Sequence, residues 1–435
     1  MAGRAYCAWY DDSHEICIPE QKVIYKMKVI IIGENAKEQA MASLLESHSS
    51  NEVLVLPGNP GTGQFEQSVE ELPADYNPED IFGTISEIEP DLIIVCDENL
   101  IREGWSDRLS SRGWNVLAPD AAACEMIDDK PRWAKIMQDT NIPVADFRML
   151  DGIEQAERFV SEVECPYVLK EIGGEKRFAI PYDEDEALDL MKSWFAEGAS
   201  KVMVSEFEEG RRFNLPVLVW KAHVIPLLPY IVLRGVYEHE DDPQAKGMGA
   251  ICSAKGPISH EHAQEAVDRI VVPFLKELQK RNCKYNGLMT GEFVLTERGI
   301  ICVNLKAGLS ETGAVSYLQL LRTDLAQAWE KLKEGEQVTL DWTPKTAVSV
   351  VLAAKNYPGG ESHGAPIEID EDFEGIINYN HAKLKDGEIV TDGGRIMVVT
   401  RIGDTLAETA EKAIESLNCI HCDDLMSRKD IGQDL

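Results

Sequence analysis

The residues of this sequence best placed for chemistry sit where apolar runs stop. Lys28-Val29-Ile30-Ile31-Ile32 stops at Gly33, Val53–Leu56 at Pro57-Gly58-Asn59-Pro60-Gly61, and Asp91-Leu92-Ile93-Ile94-Val95 at Cys96–Asn99. Tyr167-Val168-Leu169 stops at Lys170 and a turn, Glu171-Ile172-Gly173-Gly174-Glu175-Lys176. Glycines let backbone N–H groups come close to a bound phosphate. By residue type alone, however, Lys170 reads as a solvated surface lysine. Cys419 and Cys422 form the only C-x-x-C among 10 cysteines. A zinc site normally shows a second pair or well-spaced histidines. The other cysteines are scattered, many in apolar runs as Cys96 and Cys302 are, and read as reduced small hydrophobes of a cytosolic protein.

These runs imply the elements that carry them. Apolar strands at 28–32, 53–56, 91–95 and 115–117 alternate with helices expected over 34–46 and 78–88. That is the pattern of a doubly wound parallel sheet covered on both faces, which binds ligands beyond the carboxyl ends of its strands. Further on, the spacing predicts a helix over 128–142 and a small β-turn-β-α-β module. The strands of that module are 167–170, 177–180 and 202–207, and its helix is 185–197. Antiparallel strands follow over 214–233, then a helix over 260–281, strands 288–296 and 299–304, and a helix over 315–333. A separate α+β segment runs from about 345. Residues 1–26 fit no regular period and read as an N-terminal extension, or else a short added hairpin.

The chain is 435 residues long, beyond what one core organises, so several structural units are expected. Its net charge of −33 disfavours nucleic acid and anionic membranes as partners. An anionic substrate would need a local cluster of Lys and Arg against this background. No run approaches the roughly 18 apolar residues of a membrane helix, and no secretory signal is read at the N-terminus.

Several strings in order resemble the glycinamide ribonucleotide synthetase (phosphoribosylamine–glycine ligase) family of the ATP-grasp superfamily. They are MKVIIIG (27–33), PGNPGT (57–62), YNGLMTG (285–291), VVLAAKNYPG (350–359), LKDGEIVTDGGRIMVVT (384–400), GDTLAE (403–408), IH (420–421) and RKDIG (428–432). The resemblance spans roughly 27–435. It implies an ATP-grasp core of two lobes behind the N-terminal doubly wound domain, with a small C-terminal α+β domain after it. The implied boundaries are 27–127 for the N-terminal domain, 128–149 plus 211–340 for the central domain, 150–210 for the small lobe and 341–435 for the C-terminal domain. It also implies ATP and Mg²⁺ (or Mn²⁺), and a reaction through an acyl phosphate between a glycine-like acid and a phosphorylated sugar amine. The implied setting is a cytoplasmic monomer or homodimer of purine biosynthesis.

Carried over residue by residue, the resemblance implies that Lys130, Lys170, Gly173, Gly174, Lys176 and Glu206 hold the nucleotide. Glu292 and Asn304 are the implied metal ligands, an ion pair or exposed strand residue being the alternative for Glu292. Arg234, Lys306 and Glu311 are the implied catalytic groups, and Gly33, Lys37, Asn59, Gly61 and Gly308 the implied substrate contacts. The chain also departs from the family pattern. The family string E-F-N-C-R-F-G-D-P-E reads Cys302-Val303-Asn304-Leu305-Lys306-Ala307-Gly308-Leu309-Ser310-Glu311 here. Its Q-D-H-K-R falls at Ile231-Val232-Leu233-Arg234-Gly235, and its G-x-G-G-R-E-H at Gly33-Glu34-Asn35-Ala36-Lys37-Glu38-Gln39. The glycine-rich loop is about two residues shorter. These departures keep two further functions open: a ligase of the same mechanism with another acid or acceptor, and a catalytically silent homologue that binds or regulates.

Overall fold

The computed structural model describes residues 26–63, 78–173, 177–237 and 244–433. The expected N-terminal extension, and Gly174 and Lys176 of the glycine turn, lie outside the described residues.

The chain opens with β1 (Met27–Gly33), α1 (Ala36–Glu46), β2 (Asn51–Pro57), α2 (Pro78–Ile88), β3 (Leu92–Val95), α3 (Glu98–Arg102), α4 (Trp105–Ser111) and β4 (Val116–Leu117). The four strands are parallel in the order β2-β1-β3-β4. Successive side chains of a strand point to opposite faces. Val29 and Ile31 pack with Ala40, Met41 and Leu45 of α1, while Ile30 and Ile32 pack with Ile81, Phe82 and Ile85 of α2. Both faces are thus buried, which is why these strands read as unbroken apolar runs.

The helix expected over 128–142 is α6 (Lys130–Asp139), and a helix not expected from the sequence, α5 (Ala121–Asp128), comes just before it. Asp129 separates them: its side chain caps α6 by accepting from Arg132 N, and Pro131 follows in the first turn, a restart signal that sequence periodicity overlooks. A small lobe follows, made of β5 (Phe147–Leu150), α7 (Ile153–Glu162), β6 (Tyr167–Ile172), β7 (Phe178–Ala179), α8 (Glu184–Ala196) and β8 (Lys201–Glu206). Its antiparallel sheet runs β5-β8-β6-β7. One face, with Leu150, Tyr167, Leu169, Val202 and Val204, packs on Phe159, Met191 and Trp194 of α7 and α8. The other carries the cross-strand row Met149, Met203, Lys170 and Phe178.

The chain then forms β9 (Arg211–Trp220), β10 (His223–Pro226), β11 (Tyr230–Gly235) and β12 (Gln244–Ser253). Next come α9 (His260–Ala266) and α10 (Val272–Lys280), joined by a π turn, then β13 (Asn286–Thr296), β14 (Gly299–Ala307), α11 (Glu311–Tyr317) and α12 (Leu325–Lys333). The helix expected over 315–333 is interrupted between α11 and α12. Asp324 caps α12 at Ala326 N and Gln327 N, and its other oxygen accepts from Ser50 and Asn51 of the N-terminal domain. A long-range tie therefore fixes the break.

The last segment holds β15 (Thr346–Ala354), β16 (Ser362–Pro366), β17 (Glu368–Ile369), β18 (Ile376–Tyr379), β19 (Ala382–Lys385), β20 (Glu388–Gly393), β21 (Arg395–Gly403), α13 (Leu406–Ser416), β22 (Ile420–His421) and β23 (Leu425–Met426). β15 pairs with β12, so central and C-terminal strands share a ten-stranded sheet ordered β14-β13-β9-β11-β12-β15-β21-β18, with β10 on β9 and β23 on β15. Val348 and Val350 of β15 pack on Ala410 and Ala413 of α13, and Ala347, Val351 and Ala353 share a core with α11.

Candidate functional site

Pairing of β13 with both neighbours sets Asn214, Glu292 and Asn304 in one row across β9, β13 and β14. Arg234 of β11 reaches the same carboxylate, with Nη2 2.7 Å from Glu292 Oε1. Two lysines arrive from above: Lys130, the first residue of α6, donates to Leu305 O at 2.9 Å, and Lys170 of β6 donates to Val303 O at 3.2 Å. Lysines from separate elements thus land two residues apart on β14, beside Glu292. Burial pushes the Lys170 ammonium down to about 8, helped by the neighbouring charge of Lys130, and burial lowers Lys130 as well. Burial opposes ionisation of Glu292 too, but Arg234, the Asn304 amide and the two lysines outweigh it and hold the carboxyl below its usual range. Arg212 of β9 adds a fourth cation to this group.

The row fits a divalent metal. Asn304 Oδ1 is buried without a hydrogen-bond partner, and it lies beside an ionised carboxylate on the paired strand. Mg²⁺ takes such hard oxygens, usually one or two from the protein with phosphate and water completing the shell. Cys302 is no substitute: burial pushes its thiol up to about 12, and its Sγ donates to Asn304 O at 3.5 Å.

A second group forms where α1 begins. Lys37 is buried with Nζ 3.8 Å from Glu38 Oε1. Burial raises Glu38 to about 7, Lys37 opposing. Lys306 of β14 stands 3.5 Å from Glu98, and Glu311 of α11 accepts from Arg395 of β21 at 2.7 Å. Glu311 Oε1 has no hydrogen-bond partner although it is buried. Burial disfavours its charge, but Arg395, Lys37, Lys306 and His381 hold it ionised below the usual range. Asn59 binds the backbone oxygens of Glu34, Asn35 and Tyr379, while its Oδ1 accepts from Gly61 N. Asn380 Oδ1 caps the Ala36 N–H, leaving its Nδ2 buried and unpartnered. Gly308, with φ of +84°, abuts Cys96 O at the end of β3. The expected substrate residues Gly33, Lys37, Asn59, Gly61 and Gly308 therefore share the region of Lys306 and Glu311, whereas Arg234 belongs to the first group.

Glu206 ends β8, exposed, on a cavity of about 830 Å³ lined also by Phe147, Arg148, Tyr167 and Arg298. Lys130, Lys170 and Glu292 do not line it, and Glu206 pairs with Tyr167, three residues before Lys170 on β6. Gly173 has φ of +79°, a conformation suited to glycine, and a Cβ there would meet Ser200 Oγ at 2.8 Å.

Sequence reasoning missed Arg212 and Asn214, which alternate on β9 toward the Glu292 row. It missed Phe178, which is 41% exposed on the face of Lys170. It also missed Glu38, Asp97, whose charge acts on Glu38, His381 and Arg395. Arg395 sits in the quoted run DGGRIMVV, where a lone cation among apolar residues is the signal.

Comparison with known proteins places the whole arrangement. Models of the phosphoribosylglycinamide synthetase N domain, ATP-grasp (A) domain and C domain match residues 27–126, 129–312 and 347–434. The phosphoribosylamine–glycine ligase of Caldanaerobacter subterraneus subsp. tengcongensis is 30% identical over 421 residues, covering 93% of this chain and 99% of that protein. The Escherichia coli (strain K12) protein of the same name is 28% identical over 426 residues, covering 93% and 98%. Among solved structures, the phosphoribosylamine–glycine ligase of Thermotoga maritima matches with a TM-score of 0.77 at 22% identity, over 93% of this chain and 100% of that one. The biotin carboxylase domain of the Hydrogenobacter thermophilus 2-oxoglutarate carboxylase, solved with MgADP, ADP and bicarbonate, matches with a TM-score of 0.66 at 15% identity, over 92% and 91%. The fold is thus the multidomain ATP-grasp architecture with an N-terminal parallel sheet, and the chain belongs to the phosphoribosylamine–glycine ligase (phosphoribosylglycinamide synthetase) family.

Proposed function

We propose that this chain is an ATP-dependent carboxylate–amine ligase of purine biosynthesis, joining glycine to phosphoribosylamine. The observation that carries the reading is the convergence of Lys130, Lys170, Arg212 and Arg234 on one carboxylate–amide pair, Glu292 and Asn304. Such a cluster in a chain of net charge −33 is suited to a polyphosphate. Lys130 and Lys170 exchange their carbonyl partners on β14 for phosphate oxygens of ATP. Glu292 and Asn304 would hold the Mg²⁺ or Mn²⁺, which would supply charge neutralisation. Gly173 gives close backbone approach and Glu206 meets the base or ribose; the same reading assigns Gly174 and Lys176, outside the described residues, to the nucleotide.

Oxygen of the acid's carboxylate attacks the terminal phosphorus, ADP leaves, and the amine displaces phosphate from the acyl phosphate. Charge accumulates on oxygen in both steps, and fixed cations in a dry site stabilise it. The reading gives this role to Lys306 and Arg234. Glu311, ionised with one free oxygen, is suited to take the amine proton. Lys37, Asn59, Gly33, Gly61 and Gly308 form the cradle of the sugar phosphate. The same reading divides the chain at 127, 149, 210 and 340, and sets it in the cytoplasm as a monomer or homodimer. No helix among the described residues is long and apolar enough to cross a membrane.

A second reading, the same mechanism with another acid, is favoured by one observation. Half-buried Ile231 and Val232 of β11 precede Arg234, where the family pattern carries polar side chains. The test is ADP release with Mg²⁺ and ATP, adding glycine and fresh phosphoribosylamine singly and together. Release that needs both supports the first reading. Release with a larger amino acid in place of glycine supports the second, and absence of ATP binding overturns both.

A further inference from the structure

The C-x-x-C at 419–422 does not act as a pair. Cys422 packs against the core beneath β18 and β21, whereas Cys419 turns outward. What Cys419 meets is set by the β17–β22 ribbon. There Ile369 pairs with Ile420, both on that core, and Glu368 pairs with His421. Asp370 N donates to Cys419 O at 2.9 Å, continuing the pairing by one residue. In an antiparallel ribbon, directly opposite residues share a face and successive residues alternate. With the two isoleucines turned inward, Asp370, Cys419 and His421 share the outer face. Ligand atoms of Asp370, Asp372 and Cys419 lie within 4.8 Å of one another, and His421 Nε2 is 3.0 Å from Asp370 Oδ2.

We propose that this outer face binds a divalent cation of the zinc type through the Cys419 thiolate and the carboxylates of Asp370 and Asp372, with the His421 imidazole, hydrogen-bonded to Asp370 in the free protein, turning in as the fourth donor. The donor set selects the metal. Carboxylates alone would suit Mg²⁺ or Ca²⁺, but a thiolate and an imidazole among them favour zinc and its borderline neighbours. Two donors come from each of two short segments, and the ribbon already holds those segments together. Binding displaces the thiol proton of Cys419 to solvent as the sulfur–metal bond forms, while the neutral imidazole donates a lone pair. Metal affinity therefore rises with pH. The site lies outside both groups described above and does not depend on the ligase reading.

The test uses the full chain freed of metal. Zn²⁺ is titrated against a chromophoric chelator, and Co²⁺ is then used for its thiolate-to-metal charge-transfer absorption. One equivalent is expected to bind with the charge-transfer band present. Cys419→Ser should abolish the band, and His421→Ala or Asp372→Asn should weaken binding by about tenfold or more. Asp372 and His421 are exposed and Cys419 is half-buried, so the fold survives, which the unchanged unfolding temperature of each variant will show. Cys422→Ser should leave the band and the affinity unaltered. Absence of the band in the parent, or equal binding by parent and Cys419→Ser, overturns the proposal.

Discussion

Lys170 offers a test of the nucleotide cradle that separates charge from shape. Its ammonium is lowered to about 8 because it is buried and because Lys130 lies beside it. If only the charged form grips phosphate, affinity must track its protonation. The charged fraction falls from about nine-tenths at pH 7 to about one-tenth at pH 9, so ATP affinity should weaken about tenfold over that interval, roughly 1.4 kcal/mol. The nucleotide in turn favours the charged form, so binding at pH 8 should take up about half a proton from Lys170 alone. Lys130, lowered by its own burial, adds to that uptake. Calorimetry in buffers of different ionisation enthalpy reads the uptake directly. Lys170→Arg keeps its charge throughout and should remove most of the pH dependence, while Lys170→Met should be weak at every pH. Stability runs the other way. The folded pKa lies below the unfolded value of 10.5, so the unfolded chain binds more protons between about 8 and 10.5 and the free protein gains stability as pH rises through that window. Affinity lost while stability is gained cannot come from unfolding. ATP affinity that stays flat from pH 7 to 9.5, with no proton uptake, would refute the placement of Lys170 on the phosphates.

Glu292→Gln should raise the Mg²⁺ concentration needed for half-maximal ADP release about tenfold or more; an unchanged requirement returns Glu292 to the role of an ion-pair partner for Arg234. Phe178 shares the face of Lys170, and a base–aromatic stack is worth roughly 1–3 kcal/mol, so Phe178→Ala should raise the KM for ATP about tenfold with kcat within about twofold. Initial rates at varied ATP measure both. Gly313→Ala would place a Cβ 2.0 Å from the Tyr230 ring, in a core where Tyr230 and Tyr317 stack at 5.6 Å; overpacking of this kind costs about 1–3 kcal/mol, visible as a lower thermal midpoint. Glu38, raised to about 7 by burial with Lys37 opposing, contributes stability below about pH 4.5 that is lost as pH climbs through 7. Glu38→Gln should flatten that fall in denaturant titrations at pH 5 and pH 7.5.

What the sequence reveals of this site divides along a physical line. Residue type and strand position are local, and they are legible: Lys170 closes its strand, and Glu292 and Asn304 straddle one hairpin, so simple pairing brings them together. Partnership across the chain is not local. The carbonyls that receive Lys170 and Lys130 lie 133 and 175 residues further on, and no period in either segment encodes that meeting. The same holds for Arg395 on Glu311, 84 residues away, and for Asp324, whose tie to Ser50 and Asn51 breaks a helix that propensity would have continued. β15 failed to announce its place because both faces are buried, which erases the alternation that marks a strand on a half-exposed sheet. Arg212 failed for a smaller reason: with β9 read as starting at 214, the two arginines before it fell outside the strand and lost their facing. Extending the strand to Arg211 puts Arg212 and Asn214 in alternation with the Glu292 row. Substitutions at Cys302 and Ile231 removed side chains the family pattern leads one to expect, but the strand faces persist. The group on each face, rather than any single matched residue, is therefore what the binding and Mg²⁺ measurements have to probe.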